Sequence, residues 1–360
     1  MMPARTHVLA ALAGLLLASS LGCEEDLPKA SLISHMRVLG ARTEVIGDET
    51  RSTPRPGETA RLTWSVAFPD YDISDDELSS LFLACTAPTR FTGTPVCQEI
   101  VDAATGRGRP IGFLGTLPMG CDVRPNSVQM IAGIRIYCVT GTPELEVKID
   151  PGVRSDRLIQ GVVCRNGIPQ FDTESPVGVS CIPKGGVDES DVESIAVYGT
   201  IGISRAGEPE NKNPDLSRLS LGLRVEKSSR AVPWKPTPAE ALPELIDDCS
   251  AADSSEVLSS NGYPGVIELS YPEDDESGEE DLVFSTYATY GDLSRRFTVI
   301  EAETGRDPKE PDQTWELSEE ERDELFGQPK LIRFFFTVVD GRGGFDVTTR
   351  ELCVNRREGV

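Results

Sequence analysis

Histidine is nearly missing from this sequence: two of 360 residues, His7 and His35. A Ser-His-Asp or Cys-His catalytic arrangement needs an imidazole with partners, so both are close to excluded. No GxSxG, HExxH, Walker loop or GxGxxG stands in the context its chemistry requires. Gly106-Arg107-Gly108-Arg109-Pro110 is glycine-rich, but no helix pattern follows it, and it reads as a loop. Positive charge is scarce as well, with 35 basic against 59 acidic residues and a net charge of −24. Such a field repels phosphate backbones and excludes a nucleic-acid partner. Long hydrophobic runs are lacking too. The longest, 8–18 (VLAALAGLLLA), is well short of the roughly 20 residues of a spanning helix. CxxC pairs do not occur, so a zinc site would have to gather scattered thiolates; neither a metal nor a cofactor is expected.

What is present belongs to an exported β protein. Arg5 precedes the apolar run, and Ser19-Ser20-Leu21-Gly22-Cys23 ends it, with Glu24, Glu25 and Asp26 beyond. A positive start, a short apolar core and small residues before a cut describe a signal peptide over residues 1–22. Nine cysteines occur: Cys23, Cys85, Cys97, Cys121, Cys138, Cys164, Cys181, Cys249 and Cys353. With Cys23 set aside, the remainder is even, which in an exported chain reads as a disulfide framework.

Proline (26) and glycine (33) weaken helix interiors, so strands and turns are expected. Strand-like runs fall at 36–45, 59–68, 81–85, 128–139, 145–149, 158–164 and 195–204. In the second half they fall at 216–225, 266–271, 282–290, 297–302, 330–340 and 345–354. The run 59–68 alternates cleanly, with Ala60, Leu62, Trp64 and Val66 on one face. Phe345 and Val347 share a face while Leu352 and Val354 take the other, which predicts a bulge. One short helix is expected over 316–326, with Ser318 and Glu321 as a capping box. The polar break 206–214 separates two expected domains, 36–205 and 215–360; an insertion at 88–124 lengthens the first, and 23–35 reads as a tether.

Two resemblances follow from these residues. The segment ending in Gly22-Cys23 resembles the lipobox of bacterial lipoproteins, which implies diacylglyceryl and palmitate-type acylation of Cys23 and a membrane partner through that lipid. Glu24 after the cysteine then points to the outer membrane of a bacterial envelope. Pro56-Gly57-Glu58-Thr59 leading to Trp64 resembles the second strand of bacterial immunoglobulin-like domains. The blocks 266–271, 282–291 and 335–344 (FFTVVDGRGG) are similar to PKD-like and cadherin-like modules. The resemblance implies an all-β chain of tandem immunoglobulin-like sandwiches.

In that picture the cysteines staple loops: Cys249 with Cys353 in the second domain, and in the first the local pairs Cys85–Cys97, Cys121–Cys138 and Cys164–Cys181, chosen from fifteen connectivities. The functional expectation is a non-catalytic, membrane-anchored surface lipoprotein acting as a binding or structural module for a protein or glycan partner. The alternatives are a calcium-assisted adhesin or glycan binder and a carboxylate-dependent hydrolase. The acids of 70–77 and 273–281 would serve calcium, although the first lacks the glycine and final glutamate of an EF-hand loop. Trp234 would serve a glycan.

Overall fold

The computed structural model describes residues 30–69, 78–88, 97, 99, 121, 127–131, 134–172, 175, 179–205, 207–218, 220–225, 232–233, 258–260, 265–270, 281–300, 313–324 and 330–354. The regular secondary structure of the described chain is almost entirely strand. In the first half, β1 (Arg37–Val45), β2 (Thr59–Ala67) and β6 (Glu144–Lys148) form one antiparallel sheet in the order β1-β2-β6. Facing it is a five-stranded sheet, ordered β10-β7-β3-β5-β4. It contains β3 (Leu78–Thr86), β4 (Ser127–Ile131), β5 (Ile134–Thr140), β7 (Arg157–Arg165) and β10 (Glu193–Ile201).

The alternation in β2 is the reason the two sheets meet. Ala60, Leu62 and Trp64 point inward, and Trp64 stacks on Phe82 of β3 with ring centroids 4.4 Å apart and planes within 5°. Gly161 of β7 lies beside that ring, and a Cβ there would stand 2.1 Å from the Leu81 carbonyl oxygen. Leu145, Val147, Ile159, Val163, Val197 and Ile201 complete the core. The far face of the five-stranded sheet is buried too, against Cys97, Cys121 and Val179, the last on β9 (Val179–Pro183), which pairs with β8 (Gly167–Phe171). Covered on both faces, β3 is buried at every position but its last.

The second half repeats the plan. One sheet runs β13-β20-β19-β15-β17, from β13 (Leu258–Ser260), β15 (Leu282–Ala288), β17 (Phe297–Ile300), β19 (Lys330–Asp340) and β20 (Phe345–Val354). The other, β12-β11-β14-β18-β16, is made by β11 (Ser220–Val225), β12 (Val232–Pro233), β14 (Gly265–Ser270), β16 (Asp292–Leu293) and β18 (Gln313–Glu316). Leu282, Phe284, Ile332, Phe334, Phe336, Val338, Leu352 and Val354 pack against Trp315 from the facing sheet. Trp315 meets Phe334 edge to face and donates to the Tyr290 carbonyl at 2.9 Å. Gly291, at φ +79°, makes room for that indole: a Cβ there would lie 2.5 Å from its Nε1.

Several expectations change. The bulge foreseen in β20 is absent, because β19 and β20 pair without a register shift from Lys330↔Val354 to Val339↔Phe345. Phe345 faces away from its own core because it is buried against the first half, where a Cβ on Gly40 would fall 2.1 Å from its ring. The bulge lies instead in β1, between Val38 and Gly40. The run 128–139 is two strands, β4 and β5, paired as a hairpin. The expected tether reaches into the fold at its end: Ile33 N donates to Ala288 O at 2.8 Å, Ala288 N donates to Ser31 O at 3.0 Å, and Ile33 is fully buried.

The short helix α1 (Glu319–Glu324) carries the expected reciprocal cap. Ser318 N donates to Glu321 Oε2 at 2.7 Å, and Glu321 N donates to Ser318 Oγ at 3.2 Å. At the β19–β20 turn only Gly343 has a positive φ. Asp340 does the remaining work, its Oδ1 accepting from Arg342 N and Gly344 N at 2.8 and 2.7 Å.

Candidate functional site

Three disulfides are present: Cys85–Cys97, Cys121–Cys138 and Cys164–Cys181. All three lie on the far face of the five-stranded sheet, where they hold chain from 97 and 121 and the β9 strand against β3, β5 and β7. Cys353 is also disulfide-bonded. Cys249, its expected partner, lies outside the described residues, as does Cys23.

Cys85, Cys97 and Glu99 stand close enough together to resemble a metal site. They do not fit one, because both sulfurs are consumed in a disulfide and offer no thiolate. The Glu99 carboxylate is occupied in accepting hydrogen bonds from Thr86 N and Oγ1. Residues 70–77, 273–280 and Trp234 lie outside the described residues.

Ser34 Oγ lies 3.1 Å from His35 Nδ1, superficially a nucleophile beside its base. Both residues are exposed and adjacent in the chain, and among the described residues no carboxylate orients the ring. The pair lacks the third group that holds an imidazole in one tautomer.

A densely bonded polar region is the strap 207–214, within the segment 206–214 that reads in the sequence as a break. Asn211, buried, donates from Nδ2 to Ser52 Oγ at 2.7 Å and to Asp340 Oδ2 at 3.1 Å. Asn213 Nδ2 donates to Thr43 O at 2.7 Å, while its Oδ1 accepts from Phe345 N at 3.2 Å. Each asparagine therefore ties one sandwich to the other. Beside them Arg42 bridges from β1, donating from Nη1 to Phe345 O at 3.1 Å and to Asp346 Oδ1 at 2.9 Å. Asp346 Oδ2 also accepts from Leu216 N at 2.7 Å. Burial pushes the Asp346 carboxyl up, against the downward pull of these bonds and of the Arg42 charge.

Arg51, buried, anchors the strap from the first half, with Nε on Asp48 at 2.9 Å, Nη2 on Glu58 at 2.9 Å and Glu210 at 3.8 Å. The Glu58 hydrogen bond is the largest influence on its guanidinium and raises its pKa. These are structural ion pairs, although the buried Arg51 Nη1 makes no hydrogen bond. No signal marked them, because Asn211-Lys212-Asn213-Pro214 has the composition of an ordinary linker.

No family model and no curated protein matches the chain. Among solved structures, the two tandem V-type regions of VCBP3, a v-region-containing chitin binding protein, align over 89% of this chain and all of theirs. Identity is 10% and the TM-score 0.25. The C-terminal domain of the Streptococcus agalactiae AgI/II polypeptide BspA covers 87% of this chain and 99% of its own, at 8% identity and TM-score 0.16. No family is shown. At these TM-scores the likeness carries no argument, and the all-β sandwich architecture stands on the strand pairing and the two cores. Among the described residues no helix is long and apolar enough to cross a membrane.

Proposed function

We propose that the chain is a lipid-anchored protein of a bacterial envelope, held through acylated Cys23, whose paired sandwiches form a non-catalytic binding or spacer module. The observation that carries the reading is the bonded strap. Asn211, Asn213 and Arg42 lock two immunoglobulin-like sandwiches into one stiff body, while among the described side chains the nucleophile–base pair of Ser34 and His35 is exposed and has no carboxylate to orient the ring. Stiffness suits a module that presents a surface at a fixed distance from its anchor, because binding then costs little ordering entropy. Disulfides closing the far face of the first sandwich fit an oxidising compartment. The lipobox-like residues 19–23 supply the anchor, and Glu24 directs it to the outer membrane.

Cross-linking in intact cells, followed by mass-spectrometric identification of neighbours, tests the binding role. A reproducible protein or polysaccharide neighbour is the expected result. Recovery of lipid and random envelope proteins alone would leave the spacer role, and a cytosolic neighbour set would overturn the proposal. The alternatives with calcium or a glycan rest on acids and a tryptophan outside the described residues.

A further inference from the structure

The sheet β13-β20-β19-β15-β17 turns one face to its core and the other toward the first half. Rows on that outer face run Phe335–Tyr287, then Thr337–Ser285–Phe297, then Phe345–Val339–Val283–Val299. The chain from Ile33 to Gly40 crosses these rows obliquely. Ile33 packs with Tyr287 and Phe335 at one end, and Gly40 meets Phe345 at the other. Among the described residues this crossing leaves one corner of the sheet partly exposed. Phe297 is 59% exposed, Val299 41%, Val339 39% and Val283 36%. They adjoin one another, since Val283 pairs directly with both Val339 and Val299.

Two arginines lie on the same outer face. Arg37 lies over the Tyr287 ring, 5.0 Å from its centroid, and donates only to Leu32 O at 3.4 Å. Arg296, adjacent to Phe297, is near enough that its charge acts on Arg37. Neither guanidinium meets a carboxylate among the described residues, although the chain carries 59 acidic side chains. An apolar corner with two spare cations is the complement of a surface that is greasy below and anionic above.

We propose that Val283, Phe297, Val299 and Val339, with Arg37 and Arg296, form a docking surface for the phospholipid bilayer in which the chain is anchored. The inference rests on the anchoring reading above, because the tether determines the occupant. Ser31 and Ile33 are fixed to Ala288, at the end of β15, the strand that also carries Val283. The eight residue steps from Cys23 to Ser31 span at most roughly 28 Å when fully extended. The same sheet is thus kept within reach of the headgroups. The overall charge of −24 does not forbid contact, since distant acids are screened beyond a Debye length of roughly 8 Å.

The test uses the whole mature chain with Cys23→Ser, which carries no lipid, floated with vesicles of phosphatidylethanolamine and a minority of phosphatidylglycerol. A vesicle-bound fraction is expected, falling roughly tenfold in Phe297→Asp, the loss of one inserted aromatic. It should fall several-fold in Arg296→Glu and weaken with salt. Phe297→Asp should melt like the parent, because the side chain is already exposed. Absence of flotation, or flotation indifferent to both substitutions, overturns the proposal. A lipid-independent dimer abolished by Phe297→Asp overturns it as well and assigns the corner to a second copy. Since this chain cannot be acylated, the outcome is separate from the question of whether native Cys23 carries lipid, which the mass of its peptide decides.

Discussion

Several side chains carry more than their share of the energetics. Thr286 is fully buried on the core face of β15, and its Oγ1 has no hydrogen-bond partner. An unsatisfied hydroxyl retains its desolvation cost, so Thr286→Val, nearly isosteric, should raise stability by about 1 kcal/mol in urea unfolding. A loss of stability instead would reveal a buried water on that hydroxyl. Two carboxyl groups should respond to acid in opposite directions. Burial opposes ionisation of Glu58, but hydrogen bonds from Arg51 and Arg55 N and the two arginine charges outweigh it and hold the group low. Its contribution is present above the ordinary carboxyl pKa and is lost as pH falls through the lower folded value. Asp346 is raised, chiefly by burial, so its ionised form is penalised in the fold and its contribution grows as pH falls through the raised value. From about pH 6 to about pH 3, the stability deficit of Glu58→Gln should shrink while that of Asp346→Asn grows. Parallel urea titrations of the two variants check the signs.

Among the elements, the β19–β20 hairpin has the strongest local logic. Asp340 accepts from two turn amides and from Asn211, and a Cβ on Gly344 would fall 2.2 Å from its Oδ2. Asp340→Ala removes all three bonds and should cost about 2–4 kcal/mol by urea unfolding, since hydrogen bonds to a charged acceptor are among the stronger ones. A cost near zero would mean that the strand pairing alone fixes the turn. This hairpin was legible in the sequence, as were β2, the capping box of α1 and the disulfide framework, because each is written in local spacing. The unbulged register of β20 was not. Its two apolar faces serve two different cores, and local pattern does not tell a second core from a slipped register. For the same reason β3 hid its length: Ser79 and Ser80 interrupt the apolar run yet are buried. The candidate site was the least legible part. Arg42, Arg51, Asn211 and Asn213 acquire their role from partners up to 304 residues away in the chain.

At the scale of the whole molecule, residues 31–360 form one compact unit. The polar strap and the buried Gly40–Phe345 contact couple the sandwiches, so calorimetry of the oxidised protein should show one cooperative transition. Asn211→Ala together with Asn213→Ala leaves buried partners unsatisfied on both sides, and should lower the melting temperature and split the transition in two. Two resolved transitions in the parent would contradict the coupling. The proposed function adds an anchor at Cys23 to this stiff body, and both the proposed compartment and the proposed bilayer-facing corner depend on it. Mass spectrometry of the N-terminal peptide, from protein taken out of its native envelope, tests it most directly. The account predicts a chain beginning at Cys23 with a diacylglyceryl thioether; a chain that begins elsewhere, or an unmodified thiol at Cys23, would contradict it.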